Sequence, residues 1–173
     1  MAQDPEKEVF FFDESRFGTH SNLGHGWFPR GKRTEVKVKL GFKNFYLYSA
    51  VSPKTGKDFT LFLPKTNTQC FNLFLEKLSL ELGDQKIILV MDGAAWHKRT
   101  HLVVPANIEI MILPPYCPEL NPVEKLWQFL KNRTIKNKIF STLEELEQTL
   151  IETLNALTRQ LIASICRTSY LLF

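Results

Sequence analysis

The chain has 173 residues, 44% hydrophobic and 23% charged, which is the balance of one globular domain with a sizeable core. Its net charge of +4 is compatible with a nucleic-acid partner but does not require one. Three widely spaced cysteines without a CxxC pair argue against a zinc site or a disulfide framework. The N-terminus is too polar for a signal peptide and no apolar run is long enough to span a bilayer, so we expect a cytoplasmic protein without a membrane partner.

The first part of the chain has the pattern of three β-strands. Residues 9–12 form a continuous apolar run, which is typical of a strand buried on both faces. Apolar and polar residues alternate within 34–51, and again from 59 to 63 after the turn-forming segment 52–57. Three successive strands predict an antiparallel meander.

Helices and strands alternate in the rest of the chain. Apolar residues at helical spacing predict a helix that begins at residue 67 or 68 and ends before Gly83. Strands are then predicted over 87–91 and 108–113, separated by a short helix over 98–104. The later helices are one that starts at Asn121 and Pro122, with Trp127 in the core, and a last one over 141–165. The sequence therefore predicts an α/β fold with a five-stranded mixed sheet, three strands antiparallel and two parallel, and helices on both faces.

Three acids stand next to these predicted elements. Asp13 follows the first strand, Asp92 follows the fourth, and Glu124 lies in the first turn of the helix after the fifth. Parallel strands end at the same edge of a sheet, so we expect the three carboxylates to meet there. Clustered carboxylates are costly unless a cation lies among them, and their oxygens suit Mg²⁺ or Mn²⁺. Two such ions could catalyse displacement at a phosphodiester.

Each acid also has a purely structural interpretation. An aspartate that ends a strand often forms a turn. Glu124 lies three residues after Asn121, where a capping-box glutamate accepts a backbone hydrogen bond. Glu14, Asp84 and Glu119 are further acids that compete for a place in such a site.

Basic side chains near the second and third acids are candidates for phosphate contacts. His97, Lys98 and Arg99 follow Asp92 closely, and His97 could also contact a metal. Lys131 and Arg133 belong to a basic run after the Glu124 helix. All five are predicted to contact DNA, although a solvated loop or helix face explains the same residues equally well.

Four segments, FFFDES, GWFPRGKR, VMDGAAWHK and ILPPYCPELNPVEKLWQFLK, occur in this order. Together they resemble the catalytic domain of a DDE transposase of the mariner superfamily, in particular its bacterial insertion-sequence branch. The resemblance covers about residues 8–155. The last block is long and quite specific.

This resemblance implies a ribonuclease-H-like fold, shared with retroviral integrases, in which Asp13, Asp92 and Glu124 hold two Mg²⁺ (or Mn²⁺) ions. It also implies a DNA endonuclease and strand transferase that acts on double-stranded DNA at transposon ends and target, as a homodimer, in the bacterial cytoplasm at the nucleoid. We expect residues 1–173 to form a single catalytic domain without the helix-turn-helix modules of full-length members.

Two other functions are open at this point. One is a different ribonuclease-H-like nuclease, such as a ribonuclease H or a junction resolvase. The other is a catalytically silent remnant of a transposase that binds DNA or dimerises.

Overall fold

The computed structural model describes residues 7–19, 41, 43–93, 101–115 and 117–169. Its strands and helices are, in chain order, β1 (Glu8–Gly18), β2 (Asn44–Val51), β3 (Asp58–Leu63), α1 (Thr68–Leu82), β4 (Ile87–Met91), β5 (Ile108–Ile112), α2 (Val123–Leu130), α3 (Leu143–Asn155) and α4 (Arg159–Ile165). A 3₁₀ turn precedes α2 and a π-helical turn, Lys131–Ile135, follows it. In this part of the chain, no helix has the length and apolar character needed to cross a membrane.

The five strands form one mixed sheet in the order β3-β2-β1-β4-β5. The pairs β3–β2 and β2–β1 are antiparallel, and the pairs β1–β4 and β4–β5 are parallel. One core packs α1 against one face of the sheet, and a second core packs α2, α3 and α4 against the other. The predicted five-stranded mixed sheet with helices on both faces is confirmed.

Strand β1 is longer than predicted, because it has different neighbours along its two halves. It pairs in parallel with β4 from Glu8 to Phe11 and antiparallel with β2 from Phe11 to Gly18. The expectation that the first strand ends before Asp13 is therefore wrong. Asp13 lies within β1, two residues beyond its last pair with β4, where the two strands cease to run together. Asp92 directly follows the end of β4 at this same edge.

The alternation of side chains along β1 decides which core each residue joins. Phe10 and Phe12 belong to the core that contains α1, whereas Phe11 and Phe17 belong to the core that contains α2. Since successive strand residues face opposite sides of a sheet, Asp13 lies on the same face as Phe11 and Phe17. The strand thus directs Asp13 towards α2.

Helix α1 agrees with its prediction, whereas the last helix does not. The Asn67 side chain accepts a hydrogen bond from the backbone N–H of Cys70 at the start of α1, and Gly83 ends it with a φ of 57°. The single helix predicted over 141–165 is two helices, because the Thr158 side chain caps a new one by accepting from the backbone N–H of Leu161. Of the helix predicted over 98–104, only 101–104 are described, and these are not helical.

The turn between β2 and β3 packs closely against α4, and its glycine allows a test of that contact. Gly56 has a φ of +71°, and a Cβ at this position would lie 1.8 Å from the carbonyl oxygen of Arg159. We expect Gly56→Ala to destabilise the protein by about 2–3 kcal/mol, measured by thermal unfolding. Gly83→Ala is the matched control, since its φ is +57° but nothing lies within 4 Å of its added Cβ. Equal losses in the two variants would contradict the close packing of turn and helix.

Candidate active site

Asp13 is held from the side of α2 by a tryptophan. The indole Nε1–H of Trp127 donates a hydrogen bond to Oδ2 of Asp13 at 2.7 Å. Trp127 is only 2% exposed, which confirms its prediction as a core residue. Its ring also meets the ring of Phe17 edge-on, with centroids 6.1 Å apart. The apolar body of the side chain therefore lies in the core while its one polar atom reaches the carboxylate.

The pKa of Asp13 depends on the charges of the other two predicted acids. The pKa of Asp13 is raised from 3.8 to about 7, chiefly by burial and in addition by the neighbouring charges of Glu124 and Asp92. The hydrogen bonds from Trp127 and from the backbone of Glu14 act in the opposite direction and do not outweigh them. The structure thus places Glu124 and Asp92 within electrostatic range of a carboxylate that is costly to ionise.

The three acids differ in their exposure to solvent. Asp92 is exposed, whereas Asp13 and Glu124 are half-buried. In the described ranges, no three His, Cys, Asp or Glu side chains lie close enough together to form a ready metal-binding group. Three carboxylates near one another repel, and a divalent cation among them would offset this repulsion.

The start of α2 bears on whether Glu124 is a helix cap. The Oδ1 atom of Asn121 accepts from the backbone N–H of Val123 at 3.2 Å, and the backbone N–H of Glu124 donates to the Asn121 carbonyl oxygen. Within the described chain, the Glu124 carboxylate accepts no hydrogen bond from the Asn121 backbone. Its side chain is therefore not used in a capping box.

Asn121 makes a second contact that the sequence did not indicate. Its Nδ2 donates to the carbonyl oxygen of Phe12 at 2.8 Å, and the side chain is only 5% exposed. Phe12 is the residue before Asp13, and Val123 is the residue before Glu124. One buried amide therefore joins the two elements that carry these acids. Sequence reasoning found the cap but missed this bond, since nothing local in the sequence marks a partner 109 positions away.

The competing acids lie elsewhere. Glu14 is adjacent to Asp13 in β1 and so faces the opposite side of the sheet, where its charge acts on Tyr48. Asp84 lines a cavity of about 640 Å³ near the amino ends of β4 and β5. Glu119 is exposed in the 3₁₀ turn. Among the described acids, Glu124 and Asp92 are the ones whose charges raise the pKa of Asp13.

A second acid of β1 shows how the chain stabilises a carboxylate when it supplies the partners itself. Burial alone would raise the pKa of Glu8, but hydrogen bonds from Thr55, Lys57 and Gln85 lower it to about 2. The Lys57 ammonium lies 2.9 Å from the Glu8 carboxylate. Among the described residues, no cation of the chain forms an ion pair with Asp13. The positive charge that would stabilise Asp13 is therefore one that the described chain does not provide.

The donor atoms of the three acids fit a hard divalent cation. All three side chains offer carboxylate oxygens, which Mg²⁺ and Mn²⁺ prefer over nitrogen or sulfur ligands. Asp13 is buried enough to need a counter-charge, and Asp92 is exposed enough to admit one. His97, with Lys98 and Arg99, lies outside the described residues.

Two of the predicted DNA contacts lie in the π-helical turn after α2. The ammonium of Lys131 lies 5.6 Å from the centre of the Phe17 ring, on the side of the sheet that Asp13 faces. Arg133 is exposed. The turn thus keeps one cation against the core and presents another to solvent, and both remain predicted phosphate contacts.

Comparison with known proteins identifies relatives over most of the chain. The model of the family described as DDE superfamily endonuclease matches residues 8–147. The uncharacterized protein y4pE/y4sA of Sinorhizobium fredii is 38% identical over 102 residues, which cover 58% of this chain and 76% of that protein. The insertion element IS630 uncharacterized 39 kDa protein of Shigella sonnei is 27% identical over 146 residues, 82% of this chain and 43% of that protein.

Solved structures with the same fold include those of the Mos1 transposase. The paired-end complex with the left transposon end has a TM-score of 0.75 at 16% identity and covers 95% of this chain and 52% of that one. The Mos1 mariner paired-end complex with Mn has a TM-score of 0.72 at 14% identity, covering 92% and 51%. The chain therefore has a ribonuclease-H-like fold and spans about half the length of these transposase chains.

Proposed function

Because the chain belongs to the DDE superfamily endonuclease family, we propose that it is the catalytic domain of a transposase of the mariner and IS630 kind. In this proposal it cleaves double-stranded DNA at transposon ends and transfers the freed end to target DNA. The observation that supports this best is the raised pKa of Asp13, which has Glu124 and Asp92 as its charged neighbours. Such a group of acids is what metal-dependent phosphodiester chemistry requires.

In this mechanism Asp13, Asp92 and Glu124 together would hold two Mg²⁺ or Mn²⁺ ions. Bound divalent ions would activate the attacking oxygen and stabilise the leaving oxygen of the phosphodiester. Asp13, fixed between β1 and Trp127, provides a rigid ligand, and Glu124 provides one from the first turn of α2. Asp92, exposed after β4, lies where DNA can approach. The structures of Mos1 paired-end complexes with Mn and with Mg support the choice of ions.

The DNA contacts follow from the position of the basic residues. Lys131 and Arg133 would neutralise backbone phosphates beside the acids, and His97, Lys98 and Arg99 would do so after Asp92. Because each end of a transposon must be cut, we propose that the active form is a homodimer on paired ends. Its place of action would be the bacterial nucleoid.

The test of this function is metal-dependent nicking of DNA. We expect the purified protein to relax supercoiled plasmid in Mg²⁺ or Mn²⁺ and to lose this activity completely in EDTA, with recovery on addition of excess metal. Calorimetry with Mn²⁺ should give two bound ions per chain. A folded protein that binds no Mn²⁺ would instead be a silent remnant, and cleavage of RNA–DNA hybrids or branched DNA in preference to duplex DNA would indicate another nuclease of the same fold.

A further inference from the structure

Asn121 and Trp127 lie on the same segment as Glu124, and the buried side chain of each donates a hydrogen bond across to β1. Asn121 Nδ2 donates to the Phe12 carbonyl oxygen at 2.8 Å, and Trp127 Nε1 donates to Asp13 Oδ2 at 2.7 Å. These two donors are six residues apart in the chain, before and after Glu124. Their acceptors are consecutive residues of β1.

We infer that Asn121 and Trp127 are positioning residues that set the distance and orientation between the Asp13 and Glu124 carboxylates. This inference rests on the proposed function and adds to it the residues that prepare the site. Neither side chain is itself a metal ligand in this assignment. Each acts through the acid-bearing element that it contacts.

The two bonds constrain different degrees of freedom. The Asn121 amide fixes the backbone of β1 against the start of α2, and its Oδ1 at the same time fixes the Val123 N–H. The Trp127 indole restricts the rotation of the Asp13 carboxylate, since it holds Oδ2 at 2.7 Å. Ligating carboxylates that are themselves hydrogen-bonded in this way bind metals more tightly.

Both donor side chains are buried, so water does not replace their hydrogen bonds easily. Asn121 is 5% exposed and Trp127 is 2% exposed. A buried amide that satisfies a backbone carbonyl of another element costs more to remove than an exposed one, because the carbonyl is left without a partner. The pair therefore restricts movement between β1 and α2 at the position of the two acids.

Variants that remove only the donors test this inference. Asn121→Ser keeps an oxygen for the helix cap but loses the donor to Phe12, and Trp127→Phe keeps an aromatic ring but loses the indole N–H. We expect each to weaken Mn²⁺ binding, measured by calorimetry, by about 10–100-fold. Leu150→Ala is the control, since Leu150 is fully buried in the same core and contacts neither acid in this assignment. It should lower the melting temperature and leave the Mn²⁺ affinity unchanged.

A spectroscopic measurement follows the same metal without any DNA. The chain has three tryptophans, so the Trp127 indole resonance can be assigned from its loss in Trp127→Phe. Paramagnetic Mn²⁺ should broaden this resonance in the wild-type protein at lower concentrations than in Asn121→Ser. If the wild type binds Mn²⁺ and both variants bind it equally tightly, the positioning role is overturned and the proposed function stands. If the folded wild type binds no Mn²⁺, the proposed function fails and the positioning role fails with it.

Discussion

Replacing Asp92 by Asn should abolish DNA cleavage while leaving the fold intact. Asp92 is exposed after β4, so the substitution removes a charge from the site without disturbing a core. The loss of nicking activity should exceed about 100-fold, which is the upper limit typical for residues that contact a metal ligand but not the metal itself. Nicking of supercoiled plasmid in Mg²⁺ measures the activity, and circular dichroism with thermal unfolding measures the fold.

The matched control for this variant is Asp84→Asn. Asp84 is also an exposed acid in a connecting segment, but it lines the cavity near the amino ends of β4 and β5. We expect its nicking activity to equal that of the wild type. Unchanged nicking in Asp92→Asn would contradict the assignment of this acid to the active site. Equal losses of nicking in both variants would indicate a general effect of charge.

Replacing Asp13 by Asn should make the metal-free protein more stable at pH 8 and catalytically inactive. The pKa of Asp13 is about 7 in the folded protein and 3.8 as its ordinary value. The folded state therefore holds this proton more tightly than the unfolded chain does. Stability falls as the pH rises from about 4 to about 7, and the full cost of the ionised carboxylate is present above that range.

The size of this effect follows from the two pKa values. The interval between them corresponds to at most about 4 kcal/mol, because each pKa unit is about 1.4 kcal/mol. An Asn at this position has no charge to bury, and its Oδ1 can still accept from the Trp127 indole. For a chain of this size we expect a rise in melting temperature of about 5–15 °C in EDTA at pH 8, with a much smaller rise at pH 4.

When metal is added, the wild type should become more stable than Asp13→Asn. Saturating Mn²⁺ stabilises a protein that binds it in the folded state only, so the wild type should gain and Asp13→Asn should not. Glu76→Gln serves as the control, since Glu76 is exposed on α1 beside Lys77, on the other face of the sheet. If the stability of the wild type does not fall between pH 4 and pH 8 in EDTA, this result would contradict the prediction that Asp13 is a buried acid whose ionisation destabilises the fold.

The elements set by local rules could be predicted from the sequence. Helix α1 follows from a cap at Asn67, an apolar stripe and a terminal glycine, and β4 follows from five consecutive apolar residues. The end of β1 could not be predicted, because it depends on its neighbours. The polar residues after Phe12 look like a turn, yet antiparallel pairing with β2 keeps them extended as far as Gly18.

Part of the candidate site could likewise be predicted from the sequence, and part could not. The three acids could be proposed from their positions beside predicted strands and from the resemblance to a family. The contacts that hold these acids in place could not be proposed from the sequence, since Asn121 and Trp127 donate to partners more than 100 positions away. The presence of Asn121 was already explained by its role as a helix cap, and that of Trp127 by its place in the core. Both explanations are correct, and both omit the contact with β1.

The change of neighbour along β1 also limits how this chain can tolerate mutations. Phe11 pairs with Val90 on one side and with Val51 on the other, so the strand is fixed in register from both sides. An insertion or deletion of one residue before Asp13 would place Glu14 or Phe12 on the face of α2 and turn the aspartate away. Point substitutions at the apolar positions 9–12 of β1 alter packing, whereas a length change there removes an acid from the site. We therefore expect natural variation in this segment to consist of substitutions at constant length.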